Sequence, residues 1–207
     1  MITSSGEQQA NGICANFNLW IIARQSSQIE SRRPLMTELD EAWEVALAQA
    51  TQRAQGAGRA DVARYLDLRR RNDLLRRMAT DWLLDAVFAL AADANREGSS
   101  IQIERQENHR FTRGAATMVG SVLILHRGVR ALTIECGWPR TPRDGVVRGN
   151  GLACANIKHL GQARFDDELI LITSEQNKPQ WCVVKAGSRS LLTASVLRYH
   201  FSHFQKS

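Results

Sequence analysis

The 207-residue chain contains few cysteines, prolines, lysines and aromatic residues, and it has no long hydrophobic run. Its four cysteines are sparse for a chain of this size and include no Cys-x-x-Cys pair, which predicts reduced thiols in a cytoplasmic protein rather than a disulfide framework. No apolar stretch approaches the roughly 18 residues that a membrane span needs. The apolar run at residues 17–23 is short and lacks the basic flank of a signal peptide. These absences predict a cytoplasmic protein with no membrane partner.

Motifs of the common enzyme classes are also missing. The chain has no GxSxG, no HExxH and no phosphate-binding GxxxxGK[ST]. Gly149-Asn150-Gly151 begins like a dinucleotide fingerprint, but the third glycine is absent. His200 and His203 are three residues apart on a predicted helix, but no further ligand stands at a spacing that would complete a zinc site. The sequence therefore predicts no cofactor and no metal site, and it leaves open whether the protein catalyses a reaction.

The charge that is present is basic and unevenly distributed. The formal net charge is +6, and 23 of the 27 basic residues are arginines. Residues 36–98 contain 9 basic and 11 acidic side chains, whereas residues 99–207 contain 15 basic and 8 acidic ones. Arginine presents a planar fork that matches phosphate and carboxylate groups. The positive field therefore belongs to the C-terminal half of the chain and favours an acidic partner there.

The N-terminal half is predicted to be helical after a leader without regular pattern. Residues 1–35 have no hydrophobic period and predict a poorly structured leader; an alternative is that the native protein begins at Met36. Residues 36–207 are expected to form one α+β domain. Within it, apolar residues recur at helical spacing over residues 38–55 and 60–95, on either side of a short glycine-containing connector. This pattern predicts an antiparallel helical hairpin.

The second of these helices is unusually apolar near its end. Residues 82–92 are apolar around nearly the whole helix, apart from Asp85. Such a segment is normally covered on several sides, by a sheet, by the first helix or by a second subunit. The segment therefore predicts a homodimer that forms through the helical layer.

The C-terminal half changes to a strand pattern after Gly98. Short apolar or alternating runs bounded by turns predict strands at residues 101–105, 118–126, 129–136, 152–157, 168–173 and 181–185. A last helix is predicted over residues 190–204, with Leu191 and Phe204 on its apolar stripe. The order of elements predicts an α+β fold in which the helical hairpin packs on an antiparallel sheet of five to six strands, closed by the C-terminal helix.

The loop at residues 139–151 is the best candidate site. Arg140, Arg143 and Arg148 could hold an anion, and Gly149 and Gly151 would let backbone amides approach it closely. The alternative is a solvated connection in which the glycines serve only as turn formers.

Two functions follow from this loop. The first is a non-catalytic binding or interaction module whose loop contacts an acidic protein, nucleic acid or a phosphorylated ligand. The alternative is an enzyme that acts on a phosphate-bearing substrate at the same loop. A pocket that combines the loop arginines with a buried carboxylate or histidine would favour the enzyme, and a flat basic surface would favour the binding module. Glu135, Lys158 and the acidic run at residues 166–168 suit a metal-dependent nuclease in composition, but their spacing does not follow a nuclease motif.

Overall fold

The structure, a computed structural model, describes residues 38–206. The predicted leader, residues 1–35, lies outside the described residues. The chain forms two compact units, one that ends at Leu66 and one that begins at Asp67. None of the helices in the described range has the length and hydrophobicity that a membrane span requires.

The described residues form three helices and a seven-stranded antiparallel sheet. The helices are α1 (Glu38–Gly56), α2 (Ala60–Arg96) and α3 (Ala194–Lys206). The strands are β1 (Gln102–Arg113), β2 (Ala116–Arg127), β3 (Arg130–Trp138), β4 (Ala153–His159), β5 (Asp167–Thr173), β6 (Pro179–Lys185) and β7 (Ser188–Leu191). The α+β class, the helix pair, the antiparallel sheet and the C-terminal helix are confirmed. The predicted strand count of five to six was too low.

In the first unit, α1 and the first turns of α2 are joined by a tight turn. Gly58 adopts a φ of 71°, and the Arg59 amide donates to the Ala54 carbonyl at 2.8 Å. This is the Schellman arrangement, in which a residue with positive φ follows the helix and satisfies its last carbonyls. Glycine suits that position because it has no Cβ, so the short connector ends α1 where the sequence predicts.

The strands of the second unit form a simple meander. They lie in chain order from β1 to β7, and each is antiparallel to its neighbours. β1 continues to Arg113, well beyond the predicted end near residue 105. A bulge between Gln106 and His109, with Asn108 at a φ of 58°, interrupts the alternation there. The sequence period is lost at the bulge, which explains why the second half of β1 was not predicted.

One face of the sheet is covered by helices. Leu83, Leu84 and Val87 of α2 are buried in one cluster with side chains from the central strands and from α3. The Trp181 indole nitrogen on β6 also donates to the Ala79 carbonyl on α2 at 2.9 Å. The sheet therefore covers one side of the apolar segment at residues 82–92, as expected. The Trp82 side chain in this segment is not covered by the sheet and is 45% exposed.

The C-terminal helix starts later than the sequence predicts. The residues from Ser188 to Leu191 pair with β6 as the short strand β7, so a helix beginning near residue 190 was wrong. Ala186 and Gly187 both have positive φ, which is typical of a two-residue hairpin turn. Leu192 is buried, whereas Leu191 is half exposed. The apolar side chain that enters the core is therefore one position later than the helical pattern indicates.

Candidate functional site

The candidate loop packs against the sheet face opposite the helices. Side chains alternate between the two faces of a strand. In β4, Ala153 and Ala155 belong to the cluster between the sheet and the helices, so Cys154 between them points to the opposite face. Cys154, Met118 and Phe111 form part of a second, smaller apolar cluster. Val147 of the loop packs on this cluster and thereby holds the loop on the outer face of the sheet.

Polar contacts further fix the backbone of the loop. The Asp144 carboxylate accepts hydrogen bonds from the Thr141 amide at 2.8 Å and from the Thr141 hydroxyl at 2.9 Å. These bonds hold the pKa of Asp144 below its usual value. Arg189 Nη2 donates to the Gly149 carbonyl at 2.9 Å. Arg76 Nε donates to the Leu152 carbonyl at 2.8 Å. The loop is thus tied to β7, and the residue that follows it is tied to α2.

The three predicted arginines have different surroundings. The Arg140 guanidinium lies 4.0 Å from the centroid of the Trp138 ring, a cation–π distance. Arg143 and Arg148 are exposed. Neither of them forms an ion pair with another residue in the range 38–206. Two of the predicted site arginines therefore present their guanidinium groups to solvent, and the third stacks on an indole.

The two predicted glycines have a packing reason of their own. Gly149 has a φ of 75°, and a Cβ at this position would overlap the Arg189 guanidinium. A Cβ at Gly151 would collide with Val147 and Ile170. Both positions therefore require glycine for the loop to close on the sheet. Their predicted role in binding an anion stays a prediction.

The fold brings four more arginines to this end of the sheet. Arg76 and Arg189 bind carbonyls at the loop boundary, as described above. Arg110 lies near enough to Asp144 to interact with it electrostatically. Arg113 bonds to the Leu169 carbonyl and to Glu168. We call the resulting set the arginine cluster: Arg76, Arg110, Arg113, Arg140, Arg143, Arg148 and Arg189.

A buried polar centre lies elsewhere on the outer face, around Glu135. Glu135 on β3 is buried, and one of its oxygens accepts hydrogen bonds from Asn156 Nδ2, at 2.8 Å, and from Lys158 Nζ. Its other oxygen lies 3.2 Å from His109 Nε2. Burial raises the pKa of Glu135, but the bonds from Lys158, Asn156 and His109 lower it more, so the net shift is downward. Glu135 is therefore held as a carboxylate.

A shallow groove of about 600 Å³ adjoins this centre. Thr133, Glu135, Lys158, Gln162 and Asp166 are among its lining residues. The arginine cluster contributes none of the residues that line it. The buried carboxylate and the candidate loop thus belong to separate parts of the outer face, an arrangement that spacing in the sequence could not show.

A second buried network connects β4, β5 and α3. Asp167 lies 3.1 Å from His200 Nε2, and His200 Nδ1 lies 3.0 Å from His159 Nε2. If both rings are neutral, His159 donates to His200 and His200 donates to the Asp167 carboxylate. Burial lowers the pKa of His159 to about 4, with help from the nearby His200 and His203. Burial also lowers the pKa of His200, against the opposing effect of Asp167.

The histidine pair noted in the sequence does not share a ligand. His200 contacts Asp167 and His159, whereas His203 Nε2 lies 2.7 Å from the Gln162 side-chain oxygen. Across residues 38–206, no group of three or more His, Cys, Asp or Glu side chains is arranged to hold a metal ion. Sequence reasoning missed the Asp167–His200–His159 network because its members come from three elements far apart in the chain.

Comparison with known proteins adds no assignment. No family model, curated protein or solved structure matches the chain.

Proposed function

We propose that the protein is a non-catalytic binding module that holds an anionic partner against the arginine cluster. This proposal depends on one observation: Arg143 and Arg148 are exposed and make no ion pair with any residue in the range 38–206. Guanidinium groups in this state can form charge-assisted forks with phosphate or carboxylate oxygens. The loop that carries them is already fixed by Arg189, Arg76 and Asp144, so little ordering is needed on binding.

A polymeric anion suits this surface better than a single small one. The seven arginines come from α2, β1, β7 and the loop. The carboxylates in contact with this part of the chain are fewer: Asp73, which pairs with Arg76 at 2.7 Å, Asp144, and Glu168, which pairs with Arg113. Several separated cations match the repeated phosphates of a nucleic acid backbone, whose binding is driven largely by counterion release. Nucleic acid is therefore the partner we propose, ahead of an acidic protein or a small phosphorylated ligand.

The alternative of an enzyme at the loop receives less support. A phosphate-processing centre would combine the loop arginines with a catalytic carboxylate or histidine in one pocket. The groove beside Glu135 has the carboxylate and Lys158, but Arg140, Arg143 and Arg148 are not among the residues that line it. A binding surface is thus the simpler use of the arginines.

We also infer that the protein acts as a homodimer formed through its helical layer. Two copies would present two arginine clusters to one polymer, which raises the apparent affinity without any new contact. The exposed apolar side chains of α2 support this part of the proposal.

The test is the salt dependence of binding to a fluorescent DNA duplex of about 20 base pairs. The variant is Arg143→Ala with Arg148→Ala, which breaks no ion pair in residues 38–206. We expect the slope of log affinity against log salt to fall by about two, one for each lost phosphate contact. The matched control is Arg53→Ala with Arg59→Ala, which removes the same charge from exposed positions of the first unit and should leave the slope nearly unchanged.

Two results would overturn the proposal. Equal losses from the two double variants would mean that only diffuse net charge matters. Absence of binding at physiological salt would exclude nucleic acid as the partner. If polyglutamate displaces the duplex as well as a competing duplex does, an acidic protein replaces nucleic acid as the best partner class.

A further inference from the structure

Helix α2 carries an exposed apolar stripe on the side that does not enter the core. Leu74, Met78 and Trp82 follow one another at intervals of four residues, which places them on one helix face. These three side chains are between 45% and 58% exposed. At 1.5 Å per residue the stripe is about 12 Å long, and large apolar side chains left exposed together on one helix face are typical of an interface.

The charges beside the stripe change sign along its length. Arg71, near the N-terminal end, is exposed and forms no ion pair with any other described residue. Towards the C-terminal end, Asp81 and Asp85 share the single Arg105 guanidinium, at 3.0 and 2.9 Å, with Glu107 as a third carboxylate at 2.9 Å. One end of the stripe therefore has an excess of positive charge, and the other has an excess of negative charge.

We propose that two copies of the chain pair through this stripe, with their α2 helices antiparallel about a two-fold axis at Met78. In this arrangement each residue faces the one that is equally far from Met78 on the other side. Met78 meets Met78 of the partner subunit, and Leu74 meets Trp82 of the partner subunit. Each apolar side chain thus contacts an apolar side chain, as a self-complementary two-fold interface requires.

Charge complementarity selects the antiparallel orientation and a second copy as the occupant. The same two-fold axis places Arg71 opposite Asp85 of the partner subunit. A parallel pair would instead place Arg71 against its own copy and Asp85 against its own copy, which is unfavourable. A surface whose apolar and charged positions both match under one rotation is built to bind itself, and the pairing does not depend on the arginine cluster or on polyanion binding.

Sedimentation velocity of the full chain over about 1–50 μM tests the assembly, a range in which a micromolar dimer dissociates measurably. We expect dimers for the unchanged chain and monomers for Met78→Glu, because the two-fold axis brings the two new carboxylates together. Met78 is exposed, so a far-UV circular dichroism spectrum should show that the variant keeps its fold. The control is Val129→Glu, which introduces the same side chain at an exposed apolar position of the β2–β3 turn and should leave the dimer intact.

Oxidative cross-linking tests the orientation. Cys136, Cys154 and Cys182 are buried, so the background variant Cys14→Ser removes the remaining native thiol. In this background Met78→Cys should form a covalent dimer, because residues at the axis approach within disulfide range. Arg71→Cys, seven residues before Met78 on the same exposed face, should not, because its two copies lie about 21 Å apart in the antiparallel pair. Cross-linking of Arg71→Cys would show a parallel pair and overturn the proposal. A monomeric unchanged chain would also overturn it and would leave the stripe to another segment of the chain or to a different protein. The dimer proposed here deepens the homodimer part of the proposed function, so DNA binding by that monomer would overturn this part and leave nucleic-acid binding at the arginine cluster standing.

Discussion

At the scale of single residues, Glu135 is a buried charged group on the outer face of the sheet. It lies directly opposite Asn156 in the β3–β4 register, and both of its oxygens have polar partners. Removal of the carboxylate would leave the buried Asn156 amide without its acceptor, and the half-buried His109 ring would lose its partner as well. Loss of a partner from a buried polar group costs more than the net value of one hydrogen bond.

We predict that Glu135→Ala lowers the free energy of unfolding by about 1–3 kcal/mol, measured by urea denaturation. Glu104→Ala is the matched control, since Glu104 is exposed on the edge strand β1, and its effect should stay within about 0.5 kcal/mol. Equal effects of the two substitutions would show that the Glu135 hydrogen bonds add nothing to stability.

At the scale of elements, the boundary between β7 and α3 decides which leucine enters the core. The Leu192 amide donates to the Trp181 carbonyl at 2.8 Å, which continues the strand pairing one residue beyond β7. The exposed fraction is 5% for Leu192 and 52% for Leu191. A helix that began at residue 190 would place Leu191 on the buried stripe instead, so the two leucines distinguish the two boundaries.

Leu192→Ala should therefore destabilise the protein by about 2–5 kcal/mol, through lost burial and the cavity that remains. Leu191→Ala removes the same atoms from a half-exposed site and should cost less than about 1 kcal/mol. Urea denaturation of the two variants side by side makes the comparison. A larger loss from Leu191→Ala would mean that the helix starts earlier than Ala194.

At the scale of the whole molecule, the Asp167–His200–His159 network ties the last helix to the sheet. Its members lie on β5, α3 and β4, and Lys185 of β6 adds an ion pair with Asp167 at 2.9 Å. Each histidine is buried, and burial is the largest reason for its lowered pKa. Protonation of both rings would also remove the acceptor that their mutual hydrogen bond requires.

This network predicts acid sensitivity in a defined window. His159 has an ordinary pKa of 6.5 in the unfolded chain and about 4 in the folded one, so the unfolded state binds more protons between these values. Stability should therefore be full above about pH 6.5 and decrease by on the order of 2 kcal/mol as the pH falls towards 4. Urea denaturation at several pH values measures the slope of the free energy of unfolding against pH. His159→Gln should flatten it, whereas His126→Gln, outside the network, should not; an unchanged slope in His159→Gln would contradict the assignment.

Taken alone, the sequence determined those features that depend on residues close together in the chain. The periods of α1 and α2, the glycine turn between them and the β2–β3 hairpin are local patterns, and the structure has all of them. The local pattern did not predict the part of β1 that follows the bulge, and it predicted the start of α3 too early. In both places pairing with a neighbouring strand overrode the local pattern.

Only the tertiary structure decided which chemical groups meet. Spacing singled out Arg140, Arg143 and Arg148, but Arg76, Arg110, Arg113 and Arg189 join them through strand register and helix packing. The Glu135 centre and the histidine network likewise combine residues from separate elements. Contacts between residues far apart in the chain leave no period in a single sequence, so the sequence could predict a basic loop but not the surface to which it belongs.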